Sequence, residues 1–244
     1  MEQQNQRKAV HKVRHELQRR ELVVDSVTPL GEHFVSITFT GASLASFVSL
    51  GFDDHVKFFL EDGTGEPVRR DYTPRRYDTQ LRTLTIEFAL HGEGAASDWA
   101  RQAVPGQAAT IGGPKGSRIV PPDYDWHLLV ADATGLPAVR RRLEELPASA
   151  RAIVVVQVAA SDRILPATQA QLETHWADDA DALVDAVRAL TLPGGEGYAW
   201  GGGEAAMIKR VRDVLVDEKA VPKDTMRMSA YWKQGAAEFH EDIE

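Results

Sequence analysis

Arg70, Tyr72, Thr73 and Arg75, in the stretch R-x-Y-T-P-R, put two guanidiniums, a phenol ring and a hydroxyl within six residues. A guanidinium grips phosphate through paired hydrogen bonds, and an aromatic face covers a flat heterocycle. In extended backbone Arg70 and Tyr72 point one way, Asp71 and Thr73 the other. Pro74 lacks an amide hydrogen and disfavours helix at Thr73, so the motif is expected at an edge or exit of a sheet, where backbone groups can face a bound molecule. Two further stretches suit phosphate. In H-G-E-G-A-A-S-D-W-A (residues 91–100) glycines lead into a helix start with Ser97 near its N-cap, whose free amides would accept an anion. In G-G-P-K-G-S-R (residues 112–118) three glycines permit close backbone approach, and Lys115 and Arg118 add positive charge. Taken singly, each of these two reads better as an ordinary turn than as a site. All three together point to a ligand with a flat ring and a phosphate.

These residues need a frame. The chain has 244 residues, 43% of them hydrophobic, enough for two cores. There are no cysteines, which excludes disulfides, thiolate metal sites, cysteine nucleophiles and cysteine-ligated iron–sulfur clusters. No apolar run approaches the ~20 residues needed to cross a bilayer, and no apolar signal core opens the chain, so a cytoplasmic protein is expected. The net charge is −8; residues 1–120 hold 15 Lys and Arg against 15 Asp and Glu, residues 121–244 hold 13 against 21. That balance disfavours bulk nucleic-acid binding.

Residues 1–20 are polar with six Lys and Arg and read as a solvated tail or short lead-in helix. Short alternating or β-branched runs follow at 22–28, 34–40, 55–60, 83–90 and 108–111. About six antiparallel strands at this spacing predict a small closed or nearly closed barrel. At P-P-D-Y-D (residues 121–125) the texture changes, and the continuous apolar run W-H-L-L-V-A is of the kind buried in parallel sheets. The expected domains are therefore 1–122 and 123–244. In the second, strands at 152–159, 197–200 and 226–232, a short segment near Ile164, and helices at 136–146, within 180–190 and at 204–219 predict a parallel sheet with helices on both faces.

Ligands of such sheets bind beyond the carboxyl ends of the strands, which here are residues 132–137, 160–163, 201–204 and 232–235. No G-x-G-x-x-G follows the first strand. Thr134 and Gly135 before one helix, and the triple glycine 201–203 before Glu204 and another, could cradle a phosphate or ribose, although glycines also serve tight packing. Arg140, Arg141 and Arg142 are expected to face solvent, with Glu144 and Glu145 as partners at helical spacing. No histidine spacing suggests a metal site, and no G-x-S-x-G suggests a hydrolase.

In order along the chain, R-x-Y-T-P-R (70–75), G-x-A-S-x-W-A (94–100), G-P-x-G-S (113–117), D-x-T-x-L-P-A (132–138), W-x-x-G-E (200–204) and Y-W-x-x-G (231–235) resemble the siderophore-interacting proteins, flavin-dependent ferric-siderophore reductases distantly related to ferredoxin–NADP reductase. The resemblance spans nearly the whole chain from Leu22. It departs from the family pattern at Ala95, Gln107, Ala131-Asp-Ala-Thr and Lys233-Gln234. It implies an N-terminal antiparallel six-stranded FAD-binding barrel, a C-terminal parallel-sheet NAD(P)H-binding domain, and a ferric siderophore as substrate.

By the same resemblance Arg70 would pair with the FAD diphosphate, Tyr72 lie against the flavin ring and Thr73 approach its N5, with Arg75, His91, Ala96, Ser97, Gly116 and Ser117 completing the FAD site. Asp132, Thr134, Gly202 and Glu204 would frame the nicotinamide, and Tyr231 and Trp232 the other flavin face. Lys57, Arg118 and Lys233 would receive the anionic siderophore. No catalytic side chain and no bound metal are expected, because the flavin carries the redox chemistry. Two alternatives fit the residues: a general flavin or ferredoxin-type reductase, and a non-catalytic redox sensor.

Overall fold

Two periodicities in the sequence produce two large sheets, beside a two-stranded ribbon, which a computed structural model describes through residues 8–61, 67–90, 94–236 and 241–243. The first part runs β1 (His11–Arg14), β2 (Arg19–Pro29), β3 (Phe34–Thr40), β4 (Val56–Glu61), β5 (Pro67–Tyr72), β6 (Arg76–Asp78), β7 (Thr83–Ala89), α1 (Ala95–Gln102), β8 (Ala108–Gly112) and β9 (Gly116–Ile119). Seven of these strands form one antiparallel sheet in the order β5-β4-β8-β2-β3-β7-β6. It is a curled half-barrel with β5 and β6 at its edges, one strand larger than the six expected. Alternate residues turn inward, so Leu22, Val24, Ile37, Phe39, Phe58, Leu84, Ile86, Phe88 and Ile111 share one core. Trp99 of α1 plugs it, with its ring 4.7 Å from that of Phe58.

Residues 11–14, expected in a solvated tail or short helix, instead form β1, which pairs antiparallel with β9 from His11↔Ile119 to Arg14↔Gly116. H-K-V-R carries no burial pattern because all four residues are exposed. What selects the strand is its partner, which a local reading does not contain.

The second part runs β10 (Trp126–Ala131), α2 (Leu136–Glu145), β11 (Arg151–Gln157), β12 (Gln171–Ala177), α3 (Ala180–Ala189), β13 (Gly197–Glu204), α4 (Ala205–Asp213), β14 (Met226–Trp232) and β15 (Glu241–Asp242). The sheet order is β12-β11-β10-β13-β14-β15, parallel throughout except for the antiparallel β15. β10 is buried on both faces: Leu129 and Ala131 pack under α2, Leu128 and Val130 under α3 and α4. The strand β12 was not foreseen. Ile164, where a short segment was expected, follows a single helical turn at Ala160–Asp162.

The α2 face of this sheet is shared with the first part, since Phe34, Phe52, Val120 and Tyr124 join its core. There the expectation for the arginine triplet fails: Arg140, Arg141 and Arg142 are all buried. Arg140 donates to the Ile164 carbonyl (2.9 Å) and to Glu87 (2.8 Å). Arg141 donates to the hydroxyl and carbonyl of Ser49 (2.8 Å each) and to the Pro74 carbonyl (2.9 Å). Arg142 donates to the Val120 and Pro121 carbonyls (3.0 and 2.8 Å). The guanidiniums of Arg140 and Arg142 also lie 5.0 Å from the Phe34 and Phe52 ring centres. The expected Glu144 turns instead to Arg75 and Arg76, while Glu145 does meet Arg141 at 2.9 Å. A buried guanidinium is tolerated when most of its donors are satisfied, and here the other unit accepts most of the bonds, while Arg140 Nη2 and Arg142 Nε have no hydrogen-bond partner among the described residues.

Candidate functional site

The two sheets enclose a cleft of about 600 Å³. It opens where β10 and β13, neighbours in the sheet with helices leaving to opposite faces, present their carboxyl ends. Edge strand β5 forms one wall with Arg69, Arg70, Asp71 and Tyr72, followed by Thr73. The start of α1 contributes Gly94, Ala95, Ala96 and Ser97, and the opposite wall is Ala133, Thr134, Pro137, Tyr231, Trp232 and Ala236.

On the half-barrel side the Tyr72 ring rests 4.3 Å from that of Phe88 and edge-on to Phe58 at 6.0 Å. Burial pushes its phenol pKa up, so it stays a neutral ring at any physiological pH. Arg70 turns back to donate to the Arg69 carbonyl at 2.8 Å. The N-cap of α1 is Gly94, which has no side chain to cap the helix, and the first residues of α1 line the cleft; a helix start beside Arg70 suits an anion. A neutral ring beside a helix start and a guanidinium fits a flavin dinucleotide, flat at one end and anionic in the middle. Lys57 also lines the cleft, paired with Asp71 at 2.8 Å.

On the opposite side Asp132 is the organising residue. Its Oδ1 accepts from the amide and hydroxyl of Thr134 (2.8 and 2.5 Å), and its Oδ2 from the Glu204 amide and the Trp232 indole Nε1–H (2.8 Å each). One buried carboxylate thus ties the ends of β10, β13 and β14. Gly135 is required by the same closeness, since a Cβ there would meet the Gly202 carbonyl at 2.3 Å. Burial pushes the Tyr231 phenol up as well, and its ring sits edge-on to Trp200 at 6.3 Å.

Several expected site residues are placed elsewhere. Arg75 is not among the cleft residues and sits behind Glu87 (3.1 Å), which is, and beside Glu144 (2.6 Å), forming with Arg76 and Arg140 an ion-pair network between the units. Against the upward push of burial, hydrogen bonds from Arg75 and Arg76 hold the Glu144 carboxyl down to about 2. Gly116 and Ser117 lie on β9, where the Ser117 hydroxyl donates to Asp54 at 2.5 Å. Arg118, one residue on, pairs across to Lys12 of β1. Neither it nor the exposed Lys233 is among the cleft residues. Asp132 faces its own chain rather than the cleft.

The triple glycine is no phosphate loop, because Gly201, Gly202 and Gly203 lie inside β13. Added Cβ atoms would strike the Met228 sulfur at 2.6 Å, the Trp200 ring at 2.7 Å and the Asp132 carboxyl at 2.8 Å. Glu204 caps α4, accepting from the Met207 amide at 2.9 Å. His91 lies outside the described residues. The cleft also includes His55, Asp71 and Glu87, which the sequence reading left out. Glu87 was detectable as the one charge in the apolar alternation T-L-T-I-E-F-A.

Two family models match the chain: one described as siderophore-interacting FAD-binding domain over residues 61–118, the other as siderophore-interacting protein over residues 124–235. The chain is 36% identical over 244 residues to the NADPH-dependent ferric-chelate reductase of Escherichia coli strain K12, covering 91% of this chain and 95% of that protein. It is 28% identical over 242 residues to the ferric vibriobactin reductase of Vibrio cholerae, covering 87% and 89%. The crystal structure of a siderophore utilization protein from T. fusca matches with a TM-score of 0.84 at 31% identity, over 94% of this chain and 98% of that one.

Proposed function

The chain belongs to the siderophore-interacting protein family, and from that premise we propose that it is an NAD(P)H-dependent, FAD-carrying reductase of ferric siderophores. The observation that carries the reading is the cleft in which the R-x-Y-T strand faces the carboxyl ends of the parallel strands, a cofactor wall opposite a nucleotide wall. Bound there, FAD supplies the conversion of a two-electron hydride donor into a one-electron source, so one NAD(P)H reduces two Fe(III) to two Fe(II) and releases one proton.

The protein's part is binding and orientation. Arg70 and the α1 amides hold the diphosphate, Tyr72 supports the flat ring, and Thr73 stands beside it. Thr134 borders the nicotinamide side, and Asp132 acts through Thr134 and Trp232 rather than by touching nucleotide. Tyr231 and Trp232 close the far side of the cleft. Lys57 is the one residue of the three basic candidates on the cleft wall, where Asp71 orients it. Reduction frees the metal because hard oxygen chelators hold Fe(II) far less tightly than Fe(III). We assign the FAD-binding unit to residues 1–122 and the nucleotide-binding unit to 123–244, and place the protein in the cytoplasm, where NAD(P)H is available. The test is steady-state turnover with NADH and NADPH, each against a panel of ferric chelates with a ferrous-specific dye. Production of Fe(II) that requires FAD is expected; oxidation of NAD(P)H without Fe(II) would refute the substrate assignment.

A further inference from the structure

An acidic protein that acts on anionic ferric chelates has to present its positive charge locally. The arginines between the two units are committed to carboxylates, and Lys57 to Asp71. Arg19 and Arg69 differ: both are exposed, and among the described residues neither side chain has a carboxylate partner. What they share is a ring. The Arg19 guanidinium lies 4.8 Å and the Arg69 guanidinium 5.7 Å from the centre of Phe59. We propose that Arg19, Phe59 and Arg69 form a docking shelf at the rim of the cleft for the anionic oxygens of a ferric chelate. The proposal rests on the activity proposed above.

The shelf is built by strand register. Along β4, Val56, Phe58 and Leu60 turn into the half-barrel core, which sends Lys57 and Phe59 to its outer surface. Across from them on β5 stand Asp71 and Arg69, so Lys57 meets Asp71 while Phe59 meets Arg69. On the other side β8 places Gly112 opposite Lys57, and Arg19 of β2 is opposite Gly112 in turn. A Cβ at Gly112 would come within 3.1 Å of the Phe59 ring. The ring therefore leans over the space of the missing side chain, and Arg19 reaches it from two strands away.

A guanidinium held face-on to a ring keeps its N–H edges available, and two positioned this way lose less side-chain freedom on binding than free arginines would. Because Arg69 also lines the cleft, an anion on the shelf lies at its mouth. The chemistry selected is an oxygen-rich anion, such as a catecholate or carboxylate complex of Fe(III), over a neutral one.

The test compares the FAD-loaded wild type with an Arg19→Ala, Arg69→Ala double variant. The probe is a gallium(III) tris-catecholate, an anion that mimics the ferric complex in charge and shape and is not reduced. Calorimetry in about 20 mM salt should show Kd raised about tenfold in the variant, with the difference shrinking to about twofold or less near 0.5 M salt. Binding of a neutral gallium(III) trihydroxamate should be unchanged, and in an Arg19→Ala single variant, whose residue lies outside the cleft, FAD content and flavin bleaching by NADPH should be unchanged while the tris-catecholate still binds more weakly at low salt. Equal Kd values at low salt, no binding by the wild type, equal losses for the neutral complex, or loss of FAD in the single variant would each overturn the shelf. Wild-type protein that reduces no ferric chelate would count against the proposed activity, whereas the binding comparison alone decides the shelf.

Discussion

Replacing Asp132 by asparagine changes one atom pair and sets the end of three strands against itself. The carboxylate accepts four hydrogen bonds, two at each oxygen, and donates none. Asparagine keeps one acceptor and offers an NH2 in place of the other. With the NH2 on the Oδ2 side it opposes the Glu204 amide and the Trp232 indole; flipped, it opposes the Thr134 amide and forces that hydroxyl to turn. A buried donor left without an acceptor costs about 1–3 kcal/mol. Asp132 is only 7% exposed, but Trp232 is 40% exposed, so water can take its N–H and the net loss should be about 2–4 kcal/mol. For a chain of this length that corresponds to a fall in Tm of about 5–15 °C. FAD content should hold, because Asp132 lies behind the wall opposite Arg70 and Tyr72 and outside the cleft lining. The rate of anaerobic flavin bleaching by NADPH should fall as Thr134 and Trp232 lose their common anchor. A variant that melts within about 1 °C of wild type and bleaches at the wild-type rate would refute the anchoring role.

Arg70→Ala should lose most of its FAD in an occupancy assay, since a charge-assisted bond to a diphosphate is worth about 1.5–3 kcal/mol, or roughly ten- to a hundredfold in affinity; unchanged occupancy would remove Arg70 from the site. Glu87→Gln leaves the buried guanidiniums of Arg75 and Arg140 without their shared carboxylate and should cost about 3–5 kcal/mol in chemical denaturation, a prediction contradicted by a loss under about 1 kcal/mol. Gly202→Ala puts a methyl against the Trp200 and Tyr231 rings, at 2.7 and 3.2 Å, and should slow bleaching by NADPH with FAD retained, whereas a wild-type rate would show that Tyr231 need not hold its place. At the contact between Asp162 and the β2–β3 turn, a hydrogen bond to Asp162 raises the His33 pKa, while bonds from His33 and the Glu32 amide outweigh burial and lower that of Asp162. The His33 contribution is complete below its unfolded pKa of about 6.5 and fades as pH rises through its folded value. The Asp162 contribution is complete above about 4 and fades as pH falls through its lowered value. The Tm gap between wild type and His33→Gln should therefore shrink from about pH 6 to pH 9, and a constant gap would exclude the charged pair.

The R-x-Y-T wall was legible because its signals are local: Pro74 ends a strand, and β5 is in fact an edge. The start of α1 was legible for the same reason, as glycines announce it in the chain, although its N-cap is Gly94 and Ser97 lies in the first turn. The strands β1 and β12 were not, since H-K-V-R is wholly exposed and Q-L-E-T-H-W-A is mostly half-buried, leaving no apolar periodicity to detect. The triple glycine stayed ambiguous because a phosphate loop and a strand squeezed between a tryptophan and a methionine ask for the same residue. Arg75 was misread because its carboxylates, Glu87 and Glu144, lie on separate elements. The arginine triplet shows the limit most sharply: Arg141 finds Ser49 from 92 residues away, and no helical wheel contains that partner.

That triplet also explains how two units with separate sheets keep one cleft. Helix α2 starts at the nucleotide wall, where Pro137 lines the cleft, and within one further turn its three arginines reach Glu87, Ser49, Pro74, Val120 and Pro121 of the other unit. Most of those bonds end on backbone carbonyls, which stay in place when side chains change, so the helix is fixed to the half-barrel by its framework. Glu87 completes the link, since it lines the cleft on one side and holds Arg75 and Arg140 on the other. A movement of the half-barrel relative to the parallel sheet would have to strip buried guanidiniums of their acceptors, at about 1–3 kcal/mol for each bond lost. The spacing between the β5 wall and the wall opposite it is thus set by charge buried in helix α2, and the cleft is preorganised before any ligand enters it.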